Sequence, residues 1–383
     1  MGAIPFVPDD LPDHEMSSFQ KASSPQNMSM ATNQIGTIQR EDVSVILASD
    51  LPWANLSGCR CVVTGAGGFL GGYLTRALLS LFPCGKVECP VRVVAFVRNV
   101  ANARARLGEI IEDPNLTLRQ ADLSSITKLD IGDCNYVLHV ASQASPRFYD
   151  VDPVGTLLPN AVGTAALLDG LKAASDPRGM LFVSTSEVYG EVLGSRFLRE
   201  DSYGFLDPTE IRACYAEGKR FGEALCAAWY HQYKIPTYIV RPFHTYGPGL
   251  QENDGRVFAD FSFNIIRGEN IIMKSDGAAR RAFCYVSDAI TGFFSVLLSG
   301  EPAVPYNVAN AAGALSVLEL AQMLVSLYPE KKLSVVRREA VRHATGAHGI
   351  SSELLPDTSR LEALGWRAKV DPAAGFRRMI DAY

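Results

Sequence analysis

The chain has 383 residues, of which 47% are hydrophobic and 20% are charged, so it can bury a sizeable core. Its net charge of −5 argues against a nucleic-acid-binding surface. No apolar run reaches the ~18 residues that span a bilayer, and the N-terminus lacks the basic-then-apolar order of a secretory signal. We therefore expect a cytoplasmic globular protein with neither a nucleic-acid partner nor a membrane partner.

The eight cysteines predict neither a disulfide framework nor a metal site. No Cys-x-x-Cys occurs, and several cysteines fall within apolar runs. Reduced, buried thiols fit this pattern. Cys59 and Cys61 are explained as alternating residues of one strand.

Residues 1–40 are rich in Pro, Ser, Gln, Met and Asp and show no hydrophobic period. This composition predicts a disordered leader. A short helix carrying Val43, Ile46 and Leu47 then opens the first domain, which we predict to span 41–243.

A strand, a glycine turn and a helix follow one another at the start of this domain. The strand is Cys59-Arg-Cys-Val-Val-Thr-Gly65, the turn is Ala66-Gly-Gly-Phe-Leu-Gly71, and a helical apolar stripe begins at Leu70. Glycines at these intervals permit a tight turn, close approach of the backbone to a pyrophosphate, and close helix packing. The residues predicted to hold a dinucleotide at this helix N-terminus are Gly65, Gly68, Phe69, Leu70 and Gly71.

The second strand, Val91–Val97, ends at Arg98. An acidic residue there would hold the adenosine ribose, whereas an arginine would suit the 2′-phosphate of NADP. NAD is the predicted cofactor, and Arg98 leaves NADP open. Asp122 and Leu123, which follow a third strand at Leu116–Arg119, are predicted to contact the adenine.

Further apolar strands alternate with helices along the rest of the domain. Strands are predicted at 136–140, 180–184 and 237–241, and helices at 157–174 and 214–232. The alternation predicts an α/β fold, a Rossmann doubly wound parallel sheet. Ligands of such sheets bind beyond the carboxyl ends of the strands, where Ala141, Ser142 and Ser184 fall as further cofactor contacts.

After Arg241 the alternation loosens into Gly- and Pro-rich sequence. We predict a smaller substrate-binding lobe made of 244–280 and 301–383, with 281–300 returning to the first domain. Such a lobe would cover a nucleotide-linked ligand.

Tyr215 and Lys219 stand four residues apart at the start of a predicted helix, so their side chains share one face. A nearby ammonium favours phenolate and lowers the pKa of a tyrosine from about 10. Such a phenol can take a proton from a sugar hydroxyl while hydride leaves the same carbon. Tyr230 and Lys234 have the same spacing, but they lie near the end of that helix, and we interpret their pairing as accidental.

Four motifs together resemble the extended short-chain dehydrogenase/reductase family. They are Thr64-Gly-Ala-Gly-Gly-Phe-Leu-Gly71, Ser184-Thr-Ser-Glu-Val-Tyr-Gly190, Tyr215-Ala-Glu-Gly-Lys219 and Arg241-Pro-Phe-His-Thr-Tyr-Gly-Pro248. This family contains the nucleotide-sugar epimerases, dehydratases and decarboxylases. The chain most resembles its UDP-glucuronate decarboxylases, in stretches such as Arg281-Ala-Phe-Cys-Tyr-Val-Ser-Asp288.

The resemblance implies that bound NAD transiently oxidises C4 of a nucleotide-diphosphate sugar, which then loses its carboxylate and is re-reduced to UDP-xylose. It places Ser186, Glu187 and Arg281 with Tyr215 and Lys219 as catalytic residues. The residues it implies for substrate binding are Ser145, Arg147, His244, Arg256 and Tyr285. Two positions depart from the family pattern, since Arg98 replaces an acidic residue and His244 replaces an asparagine. The resemblance also implies a homodimer formed through the two long helices.

Three alternatives stay open. A 4,6-dehydratase needs an acid where this chain has Ser186, and a hydroxyl is a poor proton donor at neutral pH. A 4-epimerase needs Tyr215 and Lys219 but has no evident need for Glu187. A regulatory NAD(P)-binding protein could use the same fold without catalysis.

Overall fold

Parallel strands form the central sheet of the computed structural model, which describes residues 25–126, 128–193, 197–337 and 355–383. The seven strands of this sheet are β1 (Arg60–Thr64), β2 (Arg92–Val97), β3 (Leu116–Gln120), β4 (Tyr136–His139), β5 (Gly179–Val183), β7 (Thr237–Pro242) and β11 (Pro305–Val308). Their order is β11-β7-β5-β4-β1-β2-β3. This order confirms the predicted Rossmann doubly wound sheet.

Helices cover both faces of the sheet, which explains why its inner strands are buried along most of their length. All five residues of β5, for example, are buried. The helices within the described residues are α1 (Pro25–Leu47), α2 (Phe69–Ser80), α3 (Val100–Leu107), α4 (Pro153–Lys172), α5 (Cys214–Tyr233), α6 (Val257–Arg267), α7 (Val286–Ser299), α8 (Val317–Leu327), α9 (Ser359–Glu362) and α10 (Pro372–Asp381).

The helix α1 begins at Pro25, so the predicted disordered leader is wrong over residues 25–40. Residues 1–24 lie outside the described part of the chain. Val43, Ile46 and Leu47 are buried, as the sequence predicted for a short helix. The earlier turns have no apolar stripe of their own, which is why composition alone indicated a leader.

By length and composition, the helix α4 is the one helix among the described residues that could cross a membrane. Half of this stretch is buried in the protein, where it packs on β4, β5 and α5. The π-helical turn Pro159–Gly163 interrupts it. Its position against the sheet accounts for its apolar composition.

The strand β11 pairs in parallel with β7, with Asn307 opposite Arg241. Residues 305–308 therefore belong to the central sheet, whereas the sequence analysis placed them in the lobe. Helix α7 packs on β5, β7 and β11.

Short strands and helices build a smaller lobe beside the carboxyl edge of the sheet. These strands are β6 (Phe197–Leu198), β8 (His244–Tyr246), β9 (Ile271–Met273), β10 (Arg280–Tyr285), β12 (Ala314–Ser316), β13 (Val335–Arg337) and β14 (Leu355–Pro356). A three-stranded sheet has the order β12-β10-β8. Because β8 follows β7 directly, this sheet brings His244 and Arg281 to the edge where β1, β4 and β5 end.

The carboxylate of Asp42 ties α1 to the rest of the protein. It accepts hydrogen bonds from the hydroxyl groups of Tyr73 and Tyr285, each at 2.9 Å, and from the Arg378 guanidinium at 2.8 Å. These partners lie on α2, β10 and α10. Burial raises the pKa of Asp42, while its hydrogen bonds, led by the one from Arg378, oppose that shift.

Candidate active site

A cavity of about 830 Å³ lies at the carboxyl ends of β1, β2, β4 and β5, and residues of the lobe line its other side. All but one of the predicted site residues line it. Those that do are Gly65, Gly68, Phe69, Leu70, Gly71, Arg98, Asp122, Leu123, Ala141, Ser142, Ser145, Arg147, Ser184, Ser186, Glu187, Tyr215, Lys219, His244, Arg256 and Arg281. The sheet and the lobe therefore gather residues that are far apart in the sequence into one site.

Tyr285 is the exception, and its prediction as a substrate contact is wrong. Its side chain is buried and its hydroxyl group donates to Asp42. Tyr285 lies four residues beyond Arg281, which is ~13 Å along a strand. Its hydroxyl group contacts Asp42 on α1 and Arg378 on α10, so the side chain lies in the packing between these helices instead of at the cavity.

The glycine turn after β1 has the geometry of a dinucleotide cradle. Gly65 has φ +67°, a conformation that favours glycine. A Cβ atom on Gly71 would lie 2.2 Å from the carbonyl oxygen of Gly65, so a side chain there is excluded. Gly68 caps the N-terminus of α2, which opens towards the cavity. A pyrophosphate fits this turn, because backbone N–H groups and the helix dipole converge on it.

Tyr215 and Lys219 both lie at the cavity wall on the first turns of α5, almost completely buried. The ammonium group donates a hydrogen bond to the carbonyl oxygen of Val183 at 2.6 Å and lies 6.0 Å from the centre of the Tyr215 ring. Burial lowers the pKa of Lys219 to about 7. The two side chains thus share one face, as the spacing predicted.

The expected lowering of the Tyr215 pKa is not found. Burial raises the pKa of this phenol, and the negative charge of Glu187 raises it further, while a hydrogen bond with the Thr185 side chain acts in the opposite direction. Burial disfavours phenolate more strongly than the surrounding cations favour it.

Tyr230 and Lys234 do not line the cavity. Lys234 is exposed and ends α5 in a left-handed conformation. Position in the fold therefore separates the two pairs that have the same spacing, and the first pair is the one that lines the cavity together with the glycine turn.

Sequence reasoning missed three residues of the site: Thr185, Tyr149 and Arg212. The Tyr149 ring stacks on the Tyr215 ring, with centroids 5.3 Å apart. The Arg212 guanidinium lies 4.5 Å from the centre of the Tyr149 ring and donates to the Glu187 carboxylate at 2.9 Å. Arg212 stands three residues before Tyr215, and this closeness in sequence was the one signal that could have indicated that it belongs to the site. Nothing local in the sequence linked Tyr149 to that helix.

Two of the predicted serine contacts are engaged with other protein groups. The Ser184 hydroxyl donates to Glu223 at 2.5 Å, and Glu223 forms a buried ion pair with Arg241 at 2.6 Å. The Ser142 hydroxyl accepts a hydrogen bond from the Asn160 amide at 3.0 Å. These bonds orient the ends of β5 and β4 at the floor of the cavity.

The other end of the cavity is rich in cations. Arg256 is paired with Asp254, and Arg147 donates to the carbonyl oxygen of Asn253 at 3.0 Å. Ser145 donates to the carbonyl oxygen of Asp254 at 2.5 Å, which ties the same loop to the end of β4. These contacts fix the loop that precedes α6.

Arg281 differs from its neighbours, because no carboxylate among the described residues pairs with it. Its guanidinium donates only to the carbonyl oxygen of Arg280, at 2.8 Å. His244 lies beside it, with its ring edge-on to Phe283 and its Nδ1 atom buried without a hydrogen-bond partner in the described part of the chain. Burial, with the charges of Arg281 and Arg256, lowers the pKa of His244 to about 3, so the imidazole is neutral. An anionic group would find its counter-charge here.

Three comparisons with known proteins agree with this geometry. Residues 61–311 match the model of the NAD dependent epimerase/dehydratase family. The chain is 33% identical to UDP-glucuronic acid decarboxylase 6 of Arabidopsis thaliana, over 85% of this chain and 89% of that protein. It is 32% identical to UDP-glucuronic acid decarboxylase 1 of Danio rerio, over 85% of this chain and 72% of that protein.

Solved structures share the fold at lower identity. An epimerase, Mth375, from Methanothermobacter thermautotrophicus superposes with a TM-score of 0.71 at 18% identity, over 86% of this chain and 94% of that one. UDP-glucuronic acid 4-epimerase from Bacillus cereus, solved with UDP-glucuronic acid and NAD, gives a TM-score of 0.69 at 22% identity, over 84% of this chain and 98% of that one.

Proposed function

Because the chain belongs to the NAD-dependent epimerase/dehydratase family, we propose that it converts UDP-glucuronate to UDP-xylose and carbon dioxide. Three relatives that are 33%, 32% and 31% identical to it are named UDP-glucuronic acid decarboxylases, and the matches span 85% to 91% of this chain. The enzyme is thus an NAD-dependent nucleotide-sugar enzyme, and decarboxylation is the specific reaction that we assign to it.

The observation that carries the proposal is Arg281, which lines the same cavity as Tyr215 and pairs with no carboxylate of the described residues. A substrate with both a reactive hydroxyl and a carboxylate would bring its hydroxyl group to Tyr215 and its carboxylate to Arg281. The Glu187–Arg212 pair adds a second charged contact at the sugar end. A 4-epimerase of neutral sugars has no evident need for these charges.

Bound NAD would supply the hydride acceptor at C4 and later return the hydride. Tyr215 takes the proton of the C4 hydroxyl group as general base. The Thr185 hydroxyl, which contacts the phenol, stabilises the phenolate form that accepts this proton. The Lys219 amino group donates to the carbonyl oxygen of Val183 and lies 6.0 Å from the centre of the Tyr215 ring, where its protonated form favours phenolate.

Loss of the carboxylate then follows from the chemistry of a β-keto acid. The bond between C5 and the carboxylate carbon breaks, carbon dioxide leaves, and the electron pair passes into the C4 carbonyl as an enolate. Hydrogen bonds from the Tyr215 and Thr185 hydroxyl groups stabilise that enolate oxygen. C5 takes up one proton from solvent. Tyr215 finally returns its proton to the C4 oxygen when the carbonyl is reduced, so the overall reaction consumes one proton.

The direct test is to incubate the purified protein with UDP-glucuronate and to identify the products by mass spectrometry and NMR. We expect carbon dioxide and a UDP-pentose. UDP-galacturonate as the product would identify a 4-epimerase instead. No reaction with UDP-glucuronate, together with conversion of dTDP-glucose to a 4-keto-6-deoxy sugar, would identify a 4,6-dehydratase. Binding of nucleotide without turnover of any of these would indicate a regulatory protein.

We also propose a homodimer that forms through α4 and α5. Val154, Val162 and Phe221 are exposed apolar residues on these two helices, which supports an interface there. Light scattering of the purified protein would give twice the mass of one chain. The predicted cytoplasmic location stays a proposal, which fractionation of the source cells would test.

A further inference from the structure

The adenosine end of the cavity is defined by the order of three strands. The strands β3, β2 and β1 are neighbours in the sheet in that order. In folds with this strand order the turn after β1 holds the pyrophosphate, and the residue after β2 lies beside the adenosine ribose. In this chain that residue is Arg98, which directly follows Val97, the last residue of β2. Arg98 lines the cavity and is exposed to it. Within the described residues, no hydrogen bond or ion pair occupies its guanidinium.

Asp122, a carboxylate on which the charge of Arg98 acts, belongs to a different subsite. Asp122 follows β3, one strand further from the glycine turn. Its Oδ1 atom accepts hydrogen bonds from the Ser124 backbone N–H at 2.9 Å and from the Ser124 hydroxyl at 2.7 Å. These two bonds, and to a smaller extent the charge of Arg98, lower the pKa of Asp122. The Asp122 carboxylate is thus held within its own turn by Ser124.

The helix that follows Arg98 is held firmly against the glycine turn. A Cβ atom on Gly67 would lie 2.9 Å from the Cβ atom of Ala103 on α3, so the two backbones are in close contact. Arg106 on the same helix donates to the carbonyl oxygen of Gly67 at 3.1 Å. The Asn99 side chain caps α3 by accepting from the Asn102 backbone N–H at 2.9 Å. Arg98 is therefore anchored on both sides, by β2 before it and by the capped helix after it.

The chemistry of the ribose decides what such a residue can recognise. The 2′-hydroxyl group of NAD is held best by a carboxylate that accepts a hydrogen bond from it. A guanidinium has five donors and no acceptor, so it cannot replace that carboxylate. A 2′-phosphate reverses the requirement, because it is anionic and accepts two parallel hydrogen bonds from an arginine.

We propose that the adenosine end of this cavity takes a 2′-phosphate, so that the enzyme binds NADP at least as tightly as NAD, with Arg98 as the residue that sets this preference. The inference concerns the cofactor alone. It holds or fails independently of which nucleotide sugar is the substrate.

Two binding measurements test it without turnover. The nucleotide released on denaturing the purified protein is identified by mass, and ADP-ribose and its 2′-phosphorylated form are titrated by calorimetry. We expect the 2′-phosphorylated form to bind at least as tightly as ADP-ribose, with an advantage that shrinks as salt is raised. Arg98→Asp should weaken its binding by about tenfold or more, the loss expected for one charge-assisted contact. The same change should strengthen the binding of ADP-ribose.

Arg104→Gln is the matched control, because Arg104 is exposed on α3, the helix that follows Arg98, but does not line the cavity. It should leave both affinities unchanged, and thermal unfolding should show that both variants are folded. Tighter binding of ADP-ribose than of its 2′-phosphorylated form by the wild-type protein would overturn the proposal. An Arg98→Asp variant that binds the two ligands as the wild type does would overturn it as well.

Discussion

The rings of Tyr149 and Tyr215 stack in parallel, with an angle of 15° between their planes and 5.3 Å between their centroids. Tyr149 is completely buried, and the Arg212 guanidinium also lies over its ring, 4.5 Å from the ring centre. The reactive phenol is therefore held against a rigid support whose position depends on the loop after β4. Because Arg212 also holds Glu187, the base and the charged pair of the site share one packed unit.

Replacing Tyr215 by Phe should lower kcat by about two orders of magnitude or more, because the general base is lost. The ring and its stacking stay, so the thermal unfolding temperature should change little. Carbon dioxide release from UDP-glucuronate measures the effect. Tyr230→Phe is the matched control and should retain activity, since Tyr230 does not line the cavity. Equal loss in both variants would show that the wrong tyrosine had been assigned.

Tyr149 should contribute to stability and activity through its ring and much less through its hydroxyl group. Tyr149→Ala leaves a hole beside Tyr215 and should lower the free energy of unfolding by about 3–5 kcal/mol. Tyr149→Phe keeps the stack and loses one hydrogen bond to the carbonyl oxygen of Ala144, which should cost about 1 kcal/mol. Urea unfolding and kcat of the two variants check this. A Phe variant as inactive as the Ala variant would assign a direct role to the hydroxyl group.

Lys219 should make the stability of the protein depend on pH above neutrality. Burial lowers its pKa to about 7, whereas a lysine in the unfolded chain titrates near ~10.4. Between these values the unfolded chain binds more protons, so the free energy of unfolding rises as pH increases through this window and falls as pH decreases through it. Below about pH 7 both states are protonated, and this contribution becomes constant.

Lys219→Met removes that contribution, because the side chain is similar in length and uncharged. Urea unfolding at about pH 7 and about pH 9 should show a gain in stability for the wild type that the variant lacks. Lys234→Met, at an exposed position, should follow the wild type. The same pH dependence in the wild type and in Lys219→Met would contradict a depressed pKa at this position.

Arg281 should recognise the carboxylate of the substrate. Arg281→Met should weaken the binding of UDP-glucuronate by about tenfold or more, the loss of one hydrogen-bonded charge contact. The binding of UDP-glucose, which has no carboxylate, should change much less. Competitive titration of the two ligands measures the difference.

Arg280→Met is the neighbouring control, because Arg280 is engaged with Glu319 at 3.1 Å and does not line the cavity. It should leave the preference for UDP-glucuronate intact. An equal loss of both ligands in the Arg281 variant would assign this residue to the diphosphate shared by the two.

The sequence was sufficient to predict the first strands along the chain, the glycine turn and the Tyr215–Lys219 pair, because each depends on neighbouring residues. Alternation of apolar runs with helical stripes reports burial on both faces of a sheet. The spacing of four places two side chains on one helical face whatever the surrounding fold. The three glycines are required by the turn itself, as the 2.2 Å approach at Gly71 shows.

Only the tertiary structure decided which distant groups act on these residues. It brought Tyr149 and Arg212 to Tyr215, showed that burial raises the pKa of that phenol, and turned Tyr285 towards Asp42 and away from the cavity. Each of these outcomes depends on contacts between segments that are far apart in the chain. Desolvation and ring stacking are properties of a packed interior, and the local pattern of residues does not contain them.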